Sequence, residues 1–496
     1  MVNLSTNGVA VNPSGAAVSQ PRVSFSQEAL KNSNSYLHYL IPATSSNVEL
    51  CKLILSGTIL GYPTPVMINW AAPEAKDAYK QHLAKIETIL AYLETLTPKT
   101  PEDLVLIVDG YDVWFQLRPD VLLKRYYAMN EVADRIARET YGEELAAQYN
   151  MTQTVVFGPD KICWPIDYKR PACWTMPKGT LGDYAFGPDS DYQLEEHNLA
   201  RWLNSGTILG PIEDMREVFR ATLAEVHRNH TTDSDQFYFS NVYGEQEYSR
   251  LAKVPELMEA KMNETFEADN KEIEHPQRDH AEIERGKKVE YHIGLDWDSA
   301  MFQTMAYYKQ FLVWMKYSEL WKPSGQQKAL DVTQQRYAFD LPQDVLDSAP
   351  PFEAINLSPT ASPHHSELYN QSWYDTHLLV NTITRLPPVV LHYTGLKGLR
   401  AIWWDKLWFY SDAEALRTAV VKQPLVPLSD KPIGGRIWWG AEKDTSIDEV
   451  GVQVRGGGWS DAAQPEYLTW ESLCAEHEDT LYGRPVKKDD AKKDDH

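Results

Sequence analysis

The segment Leu104-Val-Leu-Ile-Val-Asp109-Gly-Tyr-Asp112-Val-Trp-Phe115 joins an apolar run to two carboxylates. Its first five residues are Leu, Ile and Val, without a charge, which predicts a strand that is buried on both faces. Asp109 and Asp112 follow that strand, and the backbone freedom of Gly110 allows a tight turn between them. Two interpretations fit this spacing. One is an ordinary acidic turn, and the other is a site where Mg²⁺ or Mn²⁺ binds carboxylate oxygens at the carboxyl end of a strand.

Size and charge narrow the function classes. The chain has 496 residues and 43% hydrophobic residues, enough for a large core and one to three domains. Its net charge of −22 argues against a nucleic-acid partner, because phosphates need a basic surface. An anionic substrate on such a chain needs a local cation, which favours the metal interpretation. The chain contains no apolar run of 18 residues, so we expect membrane attachment only through a targeting segment absent from this chain.

Sequons and cysteines favour the lumen of the secretory pathway, Golgi or ER, although no secretory signal is visible at the amino end. Cys163 and Cys173 lie in a Pro-rich loop where they could close a small disulfide, with two free thiols as the alternative. Zinc is disfavoured because the chain has no Cys-x-x-Cys. Potential glycosylation sequons occur at Asn3, Asn150, Asn229, Asn263, Asn356 and Asn370.

The amino-terminal half has the periodicity of an α/β protein. Strands at 36–41, 65–70 and 104–108 alternate with helices at 48–60 and 76–96, and this βαβαβ order predicts a parallel, doubly wound sheet. A helix at 119–137 and a strand at 154–158 follow. The strand predicted at 203–211 is interrupted by Asn204-Ser-Gly206, and a glycine inside a strand often marks the close approach of a ligand or of backbone.

Five short motifs then occur in a fixed order that resembles the GT-A glycosyltransferases. The closest resemblance is to the glycosyltransferase domain of the procollagen lysyl hydroxylase/glycosyltransferases, over roughly residues 36–245, 290–305 and 388–400. The resemblance implies a GT-A fold, which is Rossmann-like α/β with a doubly wound, mostly parallel sheet, here with long insertions and a C-terminal extension. The motifs are Asp109-Gly-Tyr-Asp112, Cys163-Trp-Pro165, Leu203-Asn-Ser-Gly206, Asp233-Ser-Asp235-Gln236, and a strand ending in His392 with Gly395 and Lys397 downstream.

The same resemblance implies a role for each matching residue. The metal ligands are Asp109, Asp112 and His392. The residues that bind the nucleotide-sugar are Pro42, Ala43 and Thr44 at the nucleoside, Tyr111 at the base, Gly206 at the sugar, and Gly395 and Lys397 near the diphosphate. The residues facing the reacting sugar and the acceptor are Asp233, Asp235 and Asn204. From the residues alone, Asp233 is more simply explained as the N-cap of a helix, and His392 as an ordinary histidine at the end of a strand.

The resemblance also implies a domain organisation. We expect a stem or disordered lead at 1–35 and a GT-A catalytic domain at 36–415, with insertions at about 245–290 and 305–388. A C-terminal extension packed on the core at 416–485 and a disordered tail at 486–496 would follow.

These observations predict a metal-dependent hexosyltransferase. It would use Mn²⁺ or Mg²⁺ and transfer a sugar from a nucleotide-sugar, most simply a UDP-sugar, to a hydroxyl of a glycan or glycoprotein acceptor. The family's tail is His-Gly-Asn-Gly-like, whereas here His392-Tyr-Thr-Gly395-Leu-Lys397 is nearer to the His-x-x-Gly pattern of other GT-A enzymes. Two alternatives remain: a metal-dependent phosphohydrolase, and a non-catalytic carbohydrate-binding protein on the same fold.

Overall fold

The fold is mixed α/β, as predicted. The computed structural model describes residues 34–72, 78–191, 194–228, 234–264, 266–268, 271–273, 277–319, 339–352, 371–441 and 455–484. The predicted tail at 486–496 and all but the last two residues of the predicted lead therefore lie outside the described residues. None of the helices in the described part of the chain has both the length and the apolar character needed to cross a lipid bilayer.

Strands and helices alternate through the first half of the chain, and short elements dominate the second half. The strands are β1 (Asn34–Pro42), β2 (Val66–Ile68), β3 (Leu104–Val108), β4 (Val113–Phe115), β5 (Val155–Asp160), β6 (Trp202–Pro211), β7 (Phe266–Ala268), β8 (Lys271–Ile273), β9 (Ile293–Leu295), β10 (Phe302–Thr304), β11 (Leu312–Met315), β12 (Leu378–Asn381), β13 (Val390–His392), β14 (Ile437–Gly440), β15 (Gly458–Ser460) and β16 (Tyr467–Leu468). The α-helices are α1 (Val48–Leu60), α2 (Ala78–Thr95), α3 (Pro119–Tyr141), α4 (Glu143–Gln148), α5 (Pro171–Trp174), α6 (Ile212–Arg228), α7 (Asp235–Leu251), α8 (Pro255–Met262), α9 (Gln343–Leu346), α10 (Leu399–Trp403), α11 (Ala413–Val420), α12 (Trp470–Cys474) and α13 (Glu478–Leu481). Short 3₁₀ turns lie at Glu195–His197, Lys309–Phe311, Tyr317–Glu319, Trp373–Asp375, Trp404–Lys406, Tyr410–Asp412 and Ala475–His477.

The central sheet has nine strands in the order β16-β15-β2-β1-β3-β6-β5-β9, and β14 also pairs with β1. Strand β1 is parallel to β2, β3 and β14, so the predicted βαβαβ unit forms around it. Strand β6 runs antiparallel to both of its neighbours, β3 and β5. The sheet is therefore mixed, with mostly parallel pairs, and its carboxyl edge at β1 and β3 carries the predicted site.

The strand β3 is buried on both faces, as its composition predicted. Leu104, Leu106 and Val108 pack into an apolar cluster that also contains α1. Val105 and Ile107 point the other way, into a cluster formed with α2, α6 and α7. Because successive side chains of a strand point to opposite faces, β3 packs between two helical layers. This packing holds the residues after Val108 in a fixed position.

A second sheet, in the order β10-β13-β4, continues from the end of β3. The buried carboxylate of Asp296 fixes the turn before β10 by accepting hydrogen bonds from the backbone N–H groups of Ala300 at 3.0 Å and of Met301 and Phe302 at 2.6 Å. Because β10 pairs with β13, this turn also positions the strand that ends in His392.

Replacing Asp296 with Asn is expected to destabilise the fold by about 2–4 kcal/mol, since a carboxamide has one acceptor oxygen and its NH₂ group would face a backbone donor. Chemical denaturation measures this change. The matched control is Asp298→Asn, because Asp298 accepts from the Thr180 hydroxyl through one oxygen that an amide retains. Equal stability losses in the two variants would contradict the role given to Asp296.

The C-terminal segment extends the central sheet instead of only packing on it. Strand β14 adds beside the first half of β1, and β15 adds beside β2. A disulfide between Cys51 in α1 and Cys474 in α12 ties the two ends of the described chain together across 423 residues. The predicted Cys163–Cys173 disulfide is confirmed, whereas the sequence alone did not suggest the longer one.

Candidate metal centre

The register of the second sheet brings His392 to the two aspartates. Asp109 and Asp112 lie in the connection between β3 and β4. Strand β13 pairs antiparallel with β4 so that His392 stands opposite Val113, the residue after Asp112. The backbone N–H of Tyr393 then donates to the Asp112 carbonyl at 2.8 Å. Strand pairing, and not the flexibility of a loop, therefore sets the distance between residues 280 positions apart.

Three potential ligand atoms converge at this point. Nε2 of His392 lies 3.5 Å from Oδ1 of Asp112 and 3.9 Å from Oδ2 of Asp109, and one ligand atom from each residue lies within 4.8 Å of the others. Ligands that share a small divalent cation at about 2.1 Å lie about 3–4 Å apart. His392 is buried and both aspartates are partly exposed, so the open side of the cluster faces solvent.

The charges within the cluster shift the pKa values of His392 and Asp112 in opposite directions. Burial works to lower the pKa of His392, but the charge and hydrogen bond of Asp112, with the charges of Asp109 and Asp160, outweigh it and raise that pKa. Burial likewise works to raise the pKa of Asp112, but His392, Lys397 and Arg400 lower it. The His392–Asp112 ion pair contributes to both shifts, and a bound cation would take the place of the positive charge on His392.

Gly206 provides the space in which the cluster forms. The register between β5 and β6 shifts after Phe157, so that Gly158 pairs with Asn204 and the intervening residues of β6 bulge towards the cluster. A Cβ atom at position 206 would lie 2.1 Å from Cε1 of His392 and 2.7 Å from Oδ2 of Asp109. The strand predicted as interrupted is continuous as β6, and its glycine does mark a close approach.

Lys85 of α2 is a cation that the sequence analysis did not include in the site. Its Nζ lies 2.6 Å from Oδ1 of Asp109 and 2.8 Å from Oδ2 of Asp235, and it donates to the Ser205 carbonyl at 3.3 Å. Burial works to lower the pKa of Lys85, but the charges and hydrogen bonds of Asp109 and Asp235 raise it. Lys85 therefore stays charged and links the cluster of Asp109, Asp112 and His392 to the start of α7.

Replacing Lys85 with Met is expected to cost about 3 kcal/mol of stability, because it leaves the buried carboxylate of Asp235 without its cation. Thermal and chemical unfolding measure the loss. Lys124→Met is the matched control, because Lys124 pairs with Asp120 one helical turn away on α3 and is more exposed; its expected cost is below about 1 kcal/mol. A Lys85 variant as stable as the Lys124 variant would contradict the buried ion pair.

The residues predicted to bind the nucleotide lie beside the cluster. The hydroxyl of Tyr111 accepts from the backbone N–H groups of Thr44 at 3.0 Å and Ser45 at 3.2 Å. A Cβ at Gly110 would lie 2.7 Å from the carbonyl oxygen of Pro42, so the acidic turn packs directly on the end of β1. Ala43 follows Pro42, and its backbone N–H donates a hydrogen bond to the Ile68 carbonyl at 3.0 Å.

Polar side chains on the other side of the cluster form a buried network. Nδ2 of Asn204 donates to Oδ2 of Asp160 at 2.9 Å, and Oδ1 of Asn204 accepts from the Gly206 backbone at 3.0 Å. Gln236, next to Asp235, also donates to Asp160 at 3.2 Å. Burial raises the pKa of Asp160, although its bonds to Asn204 and Gln236 and the charge of His392 work to lower it.

Three predicted site residues remain: Asp233, Lys397 and Gly395. Asp233 lies outside the described residues, and α7 begins at Asp235 with Ser234 at the N-cap position. Lys397 is exposed, and its charge lowers the pKa of Asp112, which places it near the cluster. Gly395 lies two residues before Lys397, in the left-handed region with φ of 64°.

Three residues of this region were missed from the sequence, namely Lys85, Asp160 and Arg400, and Gln236 was named only as part of a motif without a role. Lys85 carried a signal, because it shares the apolar face of α2 with Ile89 and Leu93, one and two turns further on. Arg400 donates to the Tyr111 carbonyl from α10, and nothing in its local sequence distinguishes it from a surface arginine.

Comparison with known proteins does not assign the chain to a family. No protein-family model matches it, and no curated protein matches it significantly. Function is therefore inferred from the geometry of the site and from the resemblance described above.

Proposed function

We propose that this chain is a metal-dependent glycosyltransferase that takes its sugar from a nucleotide-sugar, with UDP-sugars as the first donors to test. The observation that carries this proposal is the meeting of Asp109, Asp112 and His392 at the carboxyl edge of the sheet. In open α/β folds, ligands bind outside this edge. Three ligands and an open side leave a cation free positions for phosphate oxygens.

The residues present fit a small divalent cation. The donor set is two carboxylates and one imidazole, which suits Mn²⁺ or Mg²⁺, and the absence of a Cβ at Gly206 keeps the space between them open. When bound, the ion supplies Lewis-acid neutralisation of the departing diphosphate. Lys397 and Arg400 add positive charge that lowers the pKa of Asp112, and they would bind the diphosphate in addition.

The remaining residues would orient the donor and the acceptor. Pro42, Ala43 and Thr44 would border the nucleoside, beside Tyr111. Asn204 and Gly206 would border the transferred sugar. Asp235 is held by Lys85, so it would act by keeping α7 and the bulge of β6 in place rather than by taking a proton.

We also propose that the enzyme works in the lumen of the secretory pathway. The two disulfides support an oxidising compartment. Asn150 and Asn263, the two sequon asparagines within the described residues, are both exposed.

Two measurements test the proposal. Titration calorimetry should detect UDP binding with Mn²⁺ and at least tenfold weaker binding with EDTA. A panel of nucleotide-sugars should then give Mn²⁺-stimulated hydrolysis of one donor without an acceptor. Turnover of a simple phosphate ester without any nucleotide-sugar would instead favour a phosphohydrolase. Absence of UDP binding with and without metal, together with no hydrolysis of any nucleotide-sugar in the panel, would end the transferase proposal.

A further inference from the structure

A polar cavity of about 250 Å³ lies between the Cys163–Cys173 loop, the start of β6 and the segment around Arg278. Its charged lining residues are four basic ones against two acidic ones, in a chain whose net charge is −22. The volume is below the roughly 300–1,000 Å³ of pockets for drug-sized ligands, so the cavity suits one small group. The basic side chains in the lining are Lys178, Arg201, Lys261 and Arg278.

Arg278 is the unusual member of this lining. Its side chain is 7% exposed, and one guanidinium nitrogen donates to the Glu264 carbonyl. Its Nε and Nη1 meet no hydrogen-bond acceptor among the residues that the structure describes. Buried charged donors without an acceptor are costly, so these two N–H groups point to a missing anionic partner.

The neighbouring cations already have partners. Arg201 pairs with Asp191 at 2.9 Å, and Lys261 pairs with Glu264 at 2.7 Å. In the described part of the chain, Arg278 has no carboxylate within ion-pair distance. Arg278 therefore leaves the cavity with uncompensated positive charge, and that charge is what an oxyanion would neutralise.

The guanidinium groups in the cavity are held in place before any ligand binds. Arg278 lies over the ring of Trp174 at 5.5 Å, and Arg201 lies over the ring of Trp202 at 5.0 Å. The indole of Trp202 donates to the Cys173 carbonyl at 3.0 Å, which ties this wall to the disulfide. A rigid wall of this kind lowers the entropy cost of binding a charged group.

The cavity adjoins the side of the candidate site that borders the transferred sugar. Trp202 lines the cavity, and Asn204 lies two residues further along β6, so both side chains are on the same face of that strand about 7 Å apart. Asp160, which accepts from Asn204, is paired with Trp202 across the sheet. A ligand held against Trp202 would therefore lie beside the face of β6 that carries Asn204.

We propose that this cavity binds the oxyanion of an acidic acceptor saccharide, such as the carboxylate of a uronic acid or a sulfate or phosphate ester on a sugar. The proposal rests on the transferase function, because it places the acceptor beside the donor sugar. Under this proposal the acceptor is an anionic glycan, and Arg278 is the residue that selects for its negative charge.

The first test uses the wild-type protein alone. Calorimetry with a glucuronic acid-terminated disaccharide should give at least tenfold tighter binding than with its methyl ester, and the difference should shrink between 50 and 300 mM NaCl. A 6-sulfated and a 6-phosphorylated disaccharide distinguish the source of the oxyanion, since whichever binds tightest identifies it. Equal binding of all charged and neutral disaccharides would overturn the proposal.

The second test compares Arg278→Gln with Arg285→Gln, the same substitution at an exposed arginine of the same segment. The Arg278 variant should lose the preference for acid over ester, and the Arg285 variant should keep it. An Arg278 variant that is folded by circular dichroism and keeps the preference would overturn the proposal.

Hydrolysis of the nucleotide-sugar donor distinguishes a failure of this inference from a failure of the proposed transferase function. If wild-type protein shows Mn²⁺-stimulated hydrolysis of a nucleotide-sugar but no preference for acidic saccharides, only the acceptor inference is lost. If it prefers acidic saccharides but hydrolyses no nucleotide-sugar, the transferase function fails and the cavity is an anion site without an acceptor role.

Discussion

Replacing Asp112 with Asn should weaken Mn²⁺-dependent binding of UDP at least about 100-fold, with a comparable or larger loss of donor hydrolysis. The amide keeps the shape of the side chain but removes one of two negative charges from the ligand set. Substituting residues that only hydrogen-bond to metal ligands already lowers metal affinity or activity about 10–100-fold, so loss of a ligand charge should cost at least as much. Oδ1 of Asp112 also lies 3.5 Å from His392 Nε2, closer than the 3.9 Å to Oδ2 of Asp109. Calorimetry with UDP and Mn²⁺, followed by the hydrolysis assay, measures the effect.

Asp405→Asn is the control for this variant, because Asp405 is an exposed aspartate beyond α10 that should not affect UDP binding. Both variants should have unfolding temperatures close to wild type. Full Mn²⁺-dependent binding by the folded Asp112 variant would remove the metal centre from the mechanism.

The Gly206→Ala variant should weaken metal binding strongly while the protein remains folded. A single methyl group at this position would lie 2.1 Å from Cε1 of His392, far inside van der Waals contact. His392 cannot move aside easily, because β13 pairs with β4 on one side and β10 on the other. We expect at least 100-fold weaker Mn²⁺ binding and an overpacking cost of about 1–3 kcal/mol.

Gly182→Ala provides the matched comparison, since a Cβ at Gly182 meets nothing within 4 Å. Direct Mn²⁺ binding can be followed by electron paramagnetic resonance without any nucleotide. If the Gly206 variant bound Mn²⁺ as tightly as the Gly182 variant, the cluster of Asp109, Asp112 and His392 would not be the binding site.

Local patterns were enough for the elements near the amino end. The uncharged run at β3 and the helix predicted at 48–60 each depend on neighbouring residues, and α1 runs from Val48 to Leu60, with Asn47 capping its start. The two aspartates after β3 could be recognised for the same reason. Their third partner, His392, could be proposed only through the order of motifs in the resemblance, because local sequence does not encode the pairing of β13 with β4.

Other features depend on distant contacts that leave little local trace. The strands β14 and β15 are three or four residues long, too short for a periodic signal, and β1 and β2 determine their position. The charged state of Lys85 depends on Asp109 and Asp235, which come from two other elements. The position of Lys85 on the apolar face of α2 was the one local indication. A lysine on an apolar helix face should prompt a search for the carboxylate that pairs with it.

The pairing of β1 with β14 has a consequence for biosynthesis. The first half of β1 completes one of its edges with residues 437–440, which are made about 400 residues later. At roughly 5–20 residues per second, that edge of the nascent chain stays open for about 20–80 s. An open edge invites aggregation, so a chaperone is expected to bind it until synthesis is nearly complete. A chain that stops between residues 393 and 436 would therefore leave the first half of β1 unpaired on that edge, even though every proposed metal ligand had already been made.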